Sequence, residues 1–189
     1  MRHSAMVVAL LVTLLASAAI ANPVAIDMHI SFDPDDYVPG IMPAPSSVVN
    51  AYVVLDWLAT DVYAVSFRLA VDPLAGYGMS FTSISPISTL TGDWETGVTV
   101  IGTGCLPEPP VVLGYLSVFY FAGGVGSVEI LPHQTLGHVL ADCSDPPVEH
   151  EYCYTQGGML GMLEAPDIQV FCSNPVEDHN WGAIKALYR

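Results

Sequence analysis

From Val62 to Val71 the chain alternates with a strict period of two. Tyr63, Val65, Phe67, Leu69 and Val71 fall on one side of an extended backbone, and Ala64, Ser66, Arg68 and Ala70 on the other. Successive side chains of a strand point to opposite faces, so this pattern predicts a strand with one buried and one wet face. Val49, Ala51, Val53, Leu55 and Trp57 make a second stripe against Asn50, Tyr52, Val54 and Asp56. Leu58, Ala59, Thr60 and Asp61 join the two segments, a link of hairpin length. Residues 24–32 and 97–101 read as further strands. Residues 111–121 are apolar on both faces, which predicts a central strand covered on each side.

Strand follows strand, and no helical period occurs before the C-terminal end. Sixteen glycines and fifteen prolines are spread along the chain, as many turns between short strands require. The order predicts an all-β fold, an antiparallel β-sandwich over residues 22–172, rather than an α/β enzyme fold. Residues 173–189 differ. Asp178 can cap a short helix over residues 180–188 that puts Trp181, Ile184 and Leu187 on one stripe. Lys185 and Arg189 there complement the negative end of the helix dipole. Gly182 makes so short a helix marginal alone, so it orders only against the domain or a partner.

The first 21 residues have the three parts of a secretory signal peptide: cationic Met1-Arg2-His3, an apolar run broken only by Thr13 and Ser17, and small residues at Ala19-Ile20-Ala21. The run falls short of the ~20 residues that span a bilayer, and no later segment is long and apolar enough to do so. The expected location is therefore secreted or extracytoplasmic: periplasm, cell surface or medium. Nineteen Asp and Glu stand against four Lys and Arg, for a formal net charge of −15. That field repels phosphate backbones and anionic headgroups, which excludes nucleic acid as a partner.

Cys105, Cys143, Cys153 and Cys172 are an even set in an oxidising compartment, which favours two disulfides out of three pairings. Residues 111–122 and 126–131 read as strands about the turn Gly123-Gly124-Val125-Gly126, and Cys105 and Cys143 lie nearly equidistant from its centre. Cys153 and Cys172 likewise bracket Met162, between strands at 152–156 and 167–172. The expected pairs are 105–143 and 153–172. A zinc site using these cysteines with His133, His138 or His150 is the rival, and it lacks any close C-x-x-C spacing.

Residues 62–73, V-Y-A-V-S-F-R-L-A-V-D-P, with the long strand 48–57 before them, resemble the strand that runs into an Asp-Pro turn in cohesin-type and related carbohydrate-binding β-sandwiches. The resemblance implies a nine-stranded jelly-roll-like fold and a binding or scaffolding role, without naming a ligand. The loop 105–110 and the four cysteines lie outside it. The ending N-W-G-A-I-K-A-L-Y-R is similar to a W-G-x-I-K-x-L-aromatic-R segment of uncharacterised exported bacterial proteins. Its Trp181, Ile184, Lys185 and Arg189 suit a sorting or anchoring tail, or a helix packed on the sandwich.

Exposed aromatics hold sugars in such sandwiches, which makes Trp94, Tyr52, Trp57 and Tyr77 candidate ligand residues; Trp94 leads because Thr91-Gly92-Asp93-Trp94-Glu95 reads as a loop. The same rings equally suit a core. Asp33, Asp35 and Asp36 are the densest acids and the candidate calcium ligands, although an EF-hand's spaced acids, glycine and distal Glu are missing and a solvated turn also explains them. No cofactor other than calcium is implied. No G-x-S-x-G, H-E-x-x-H or phosphate-binding loop occurs, so no catalytic residue is assigned and an enzyme is not expected. The function that follows is a non-catalytic secreted sandwich in extracellular assembly, adhesion or surface structure. The alternative is a carbohydrate-binding module, with or without calcium. A protein or polysaccharide partner fits either.

Overall fold

The two alternating segments become two of the three longest strands of a two-layered sandwich. The computed structural model describes residues 24–58, 61–84, 87–106, 110–137, 139–166 and 168–170, and these form thirteen strands and no helix. They are β1 (Val24–Ser31), β2 (Gly40–Ile41), β3 (Val48–Leu58), β4 (Val62–Val71), β5 (Gly76–Ser83), β6 (Ile87–Asp93), β7 (Gly97–Gly102), β8 (Val111–Tyr120), β9 (Gly126–Leu131), β10 (Val139–Asp142), β11 (Glu149–Gln156), β12 (Gly158–Leu160) and β13 (Ile168–Val170). The expected signal peptide, and Trp181, Ile184, Lys185 and Arg189 with their expected helix, lie outside the described residues.

One layer runs β11-β1-β3-β8-β5, with β13 beside β11. The other has β6-β7-β4, then β9 and β10 on the far edge of β4, with β12 and β2 beyond β9. β10 also pairs with β11, so the layers join along one side. Two pairs are parallel, β1 with β11 and β2 with β12, which corrects a purely antiparallel expectation. Parallel neighbours need long crossovers, and neither pair is close in sequence.

Between the layers lies the core. Ala51, Val53 and Leu55 of β3 and Val65, Phe67 and Leu69 of β4 are buried, as their alternation requires. The phase of β4 breaks at Tyr63. Ala64 pairs with Ala141 and Val62 with Asp142, which leaves Tyr63 without an opposite residue on β10. This bulge turns Val62 into the core and Tyr63 outward. Two buried hydroxyls tie β11 to the opposite layer: Tyr152 donates to the Ser66 carbonyl at 2.6 Å, and Thr155 to the Ile130 carbonyl at 3.0 Å. Burial pushes the Tyr152 phenol far above its usual range, so it stays a neutral donor.

Two expected hairpins do not form. β3 pairs with β1 and β8, whereas β4 pairs with β7, β9 and β10, so the link after β3 leads from one layer to the other. β8 and β9 are likewise in different layers. Each carries a buried stripe, and setting the two across the core covers both stripes. β8 is central, between β3 and β5, but only its inner face is fully buried; Val112, Tyr115, Ser117 and Phe119 on the other face are half-buried.

β9 and β10 act as one interrupted strand. Arg68 pairs with Leu131 and Ser66 with Val139, so a single residue of β4 faces a seven-residue excursion. His133 and Gly137 exchange backbone hydrogen bonds at the neck of this excursion. It leans onto the β6–β7 turn through the bond from Gln134 N to the Thr96 carbonyl at 3.0 Å.

Candidate binding groove

The β6–β7 hairpin turns at residues 94–96, where Asp93 Oδ1 accepts from the Glu95 and Thr96 amides at 2.8 and 3.4 Å. An Asp side chain that accepts from amides two and three residues on is a common turn stabiliser. Because the hairpin turns here, β7 pairs with β4 only as far as Phe67 opposite Val98. Beyond it, Leu69 N donates to the Trp94 carbonyl at 2.7 Å. The edge of β4 from Arg68 to Val71 thus borders a groove of about 310 Å³, open to solvent, lined by Arg68, Pro73, Tyr77, Gly78, Trp94 and Glu95 among others.

The groove lining includes two residues singled out from the sequence, Trp94 and Tyr77, whose rings stand on opposite faces of β5. Trp94 is half-buried against the core, with its indole over Gly78 of β5: a Cβ at Gly78 would lie within 2.5 Å of the ring's Cη2. Only glycine lets the ring settle there. Tyr77 is 50% exposed and, on the outer face of β5 and β8, stacks on Phe119 at 5.4 Å with Phe121 at 6.0 Å. Arg68 and Glu95 supply the charge. Arg68 Nε donates to the Pro132 carbonyl at 3.1 Å, and no described carboxylate lies within ion-pair distance of the guanidinium. Arg68 is the sole Lys or Arg among the described residues. Sequence reasoning placed it on the outward face of β4 and gave it no role; an isolated cation in so acidic a chain was the available signal.

The other candidates lie elsewhere. Tyr52 pairs across strands with Tyr115, rings 5.6 Å apart, on the outer face of β3 and β8. Trp57 sits on β3 opposite Asp27, and its side chain lies outside the described residues. Asp33, Asp35 and Asp36 occupy the loop after β1, organised by Ser31, whose Oγ lies 2.8 and 2.7 Å from the Asp33 and Asp36 carbonyls and accepts from Val38 N. Asp33 Oδ1 accepts from Asp35 N at 2.9 Å. No three His, Cys, Asp or Glu side chains converge as a metal site among the described residues.

Cys105 and Cys143 form a disulfide with Cα atoms 5.7 Å apart. The expected partner is right, and the route is not a β8–β9 hairpin. Ile101 of β7 and Ala141 of β10 both pair with Ala64, so the ends of β7 and β10 converge on the start of β4. Leu106 N and Cys143 N then donate to the carbonyls of Val62 and Asp61. β11 and β13 do pair about residue 162, but Cys172 and the side chain of Cys153 lie outside the described residues, and with them that disulfide.

Next to Cys143, Asp142 Oδ1 accepts from the Ser144 hydroxyl and amide and from Val148 N, while Oδ2 lies 2.9 Å from His150 Nε2. The Ser144 hydroxyl first, then His150 and the backbone, hold this carboxyl well below the usual range. Its oxygens are occupied in closing the 142–150 loop.

No family model matches the chain, and neither does any curated protein. Solved structures do match. A type I cohesin–dockerin complex from Clostridium thermocellum aligns at TM-score 0.51 and 11% identity, covering 76% of this chain and 96% of that one. The cohesin module of a family 33 glycoside hydrolase from Clostridium perfringens aligns at 0.50 and 11%, covering 68% and 90%. The fold is cohesin-like. At such identity the likeness speaks for the fold alone, as the 62–73 and 48–57 segments suggested.

Proposed function

We propose that this chain is a non-catalytic, extracytoplasmic module for assembly or adhesion that docks a protein partner. The cohesin-like sandwich carries this reading, because a solved structure of that fold is a cohesin held by a dockerin. Two features support it. Among the described residues the one ion pair, Asp142 with His150, is spent on a loop. The strongly acidic surface selects partners of complementary charge and speeds their encounter. The test is to identify what the full-length oxidised chain retains from the secreted proteins of its own host, then mix the purified partner with it. The expected result is a stoichiometric complex in light scattering whose association slows as salt rises. Failure to form any defined complex, together with turnover of a polymer substrate, would overturn the reading.

A second reading, carbohydrate binding, is favoured by the open groove that Trp94 and Glu95 border. Were calcium to assist it, chelator would release the sugar, and alanine at Asp33, Asp35 and Asp36 would do the same.

A further inference from the structure

We infer that the open edge of β4 at Leu69 and Val71 takes an extended, cationic segment of a partner protein, which adds to the sheet as a short strand where β7 stops. This rests on the docking reading and gives it a surface and a mode of contact. The argument begins with backbone direction. Within a strand, the N–H and C=O of one residue point to one edge and those of the next residue to the other. Asp72 N donates to the Ser127 carbonyl at 2.9 Å, one step beyond the Val71–Val128 pair, so Arg68, Ala70 and Asp72 turn their main-chain groups to β9. Leu69 N donates to the Trp94 carbonyl on the opposite edge, so Leu69 and Val71 turn theirs to the groove. Trp94 meets the first of these groups and shows that a peptide unit fits at ladder distance from this edge. The Leu69 carbonyl and both main-chain groups of Val71 have no hydrogen-bond partner among the described residues, although Leu69 is buried and Val71 half-buried. Such groups are nearly always paired in a folded chain, and a row of them on a strand edge is a template for another strand.

The opposite wall is β5. Residues 72–75 carry the chain from β4 in one layer to β5 in the other, and Gly76 and Gly78 line the groove. Phe121 N donates to the Ala75 carbonyl and Tyr77 pairs with Phe119, so Ala75 and Tyr77 face β8 and the two glycines face away from it. An extended segment here would lie between two strand edges, and its main chain repeats donors and acceptors at the spacing they present. Charge selects the segment. Glu95 borders the groove, and Asp72 and Asp93 open the turns beside it, while the described bond of Arg68 runs to the Pro132 carbonyl next to β9. A second copy of this chain would bring another −15 to that rim and be repelled, whereas lysine or arginine side chains on an incoming strand are attracted.

The test is NMR on the isotope-labelled, full-length oxidised chain, with four probes: the peptide Lys-Val-Lys-Val-Lys-Val-Lys, its fully N-methylated form, its glutamate counterpart Glu-Val-Glu-Val-Glu-Val-Glu, and cellohexaose. In the free chain the Val71 amide should exchange with solvent about tenfold or more faster than the Ala70 amide, which β9 holds. The lysine peptide should shift the Leu69, Val71 and Glu95 amides saturably and slow Val71 exchange by a similar factor. N-methylation should weaken it about tenfold or more by removing the main-chain donors, and Glu95→Lys, on an exposed turn, several-fold. A Val71 amide as protected as Ala70 in the free chain overturns the open edge. Binding that survives N-methylation overturns strand addition, preference for the glutamate peptide overturns the charge, and cellohexaose at these same amides overturns the ligand class. Shifts confined to other surfaces, or no binding at all, overturn the inference outright. After any of these, a defined complex with the purified partner in light scattering leaves the docking reading standing, whereas failure of that complex removes both.

Discussion

Along its first half, from Val62 to Ser66, β4 has a strand on each edge, β7 and β10. The Cys105–Cys143 disulfide closes over its start, and the Tyr152 hydroxyl caps the Ser66 carbonyl. Along its second half, from Arg68 to Val71, β9 pairs with one edge, while the other has the Trp94 carbonyl and then the groove. Apart from the bulge at Tyr63, the alternation of apolar and polar residues is the same throughout. What differs is where the neighbouring strand stops. A turn placed at 94–96 by Asp93 ends β7 early, and the backbone edge it leaves open borders the groove. One half is covered on both edges, and the other is open on one.

That contrast can be broken from the stable side first. Replacing both Cys105 and Cys143 by serine should cost about 4 kcal/mol, the loop entropy of a 38-residue separation. Urea unfolding would read it, and the near-ultraviolet signal of Trp94 below the midpoint should not change. A changed signal at full folding would mean the two halves are coupled. From the open side, Gly78→Val should cost about 1–3 kcal/mol by overpacking the Trp94 indole. It should also disturb the groove, visible as a shift in near-ultraviolet signal; an unmoved spectrum would show that Trp94 does not rest on β5.

Tyr152→Phe should lose about 1–2 kcal/mol, since the Ser66 carbonyl stays buried without the phenol. The smallest effect is the pH dependence at Asp142. Its native pKa is depressed, so the stability it adds is complete at neutral pH and lost as pH falls from about 4, the unfolded value, toward the lower native one. Wild type should therefore exceed Asp142→Ala at pH 7, with the gap closing under acid in urea titrations. A gap that widened under acid would reverse the assigned direction.

Much of the fold was legible because alternation is local. β3, β4 and β8 can be drawn from the stripes of Ala51, Val53 and Leu55, of Val65, Phe67 and Leu69, and of Leu116 and Val118. The short strands β2, β10 and β12 were not, since two to four residues carry no period. Trp94 and Tyr77 were picked as aromatics, but Glu95 and Gly78 had no signal without the fold, being ordinary turn and strand residues on their own.

The chain's own sequence determined the β character, the inward face of each long strand and the acidic field. Only the tertiary structure decided which strands are neighbours. β8 and β9, a few residues apart, belong to different layers, whereas Leu131 and Val139 line up on β4 past a seven-residue excursion. The reason is that a period of two says which face of a strand is apolar, and many pairings satisfy that equally. The choice among them falls to the shared core, where every buried stripe must find cover at once.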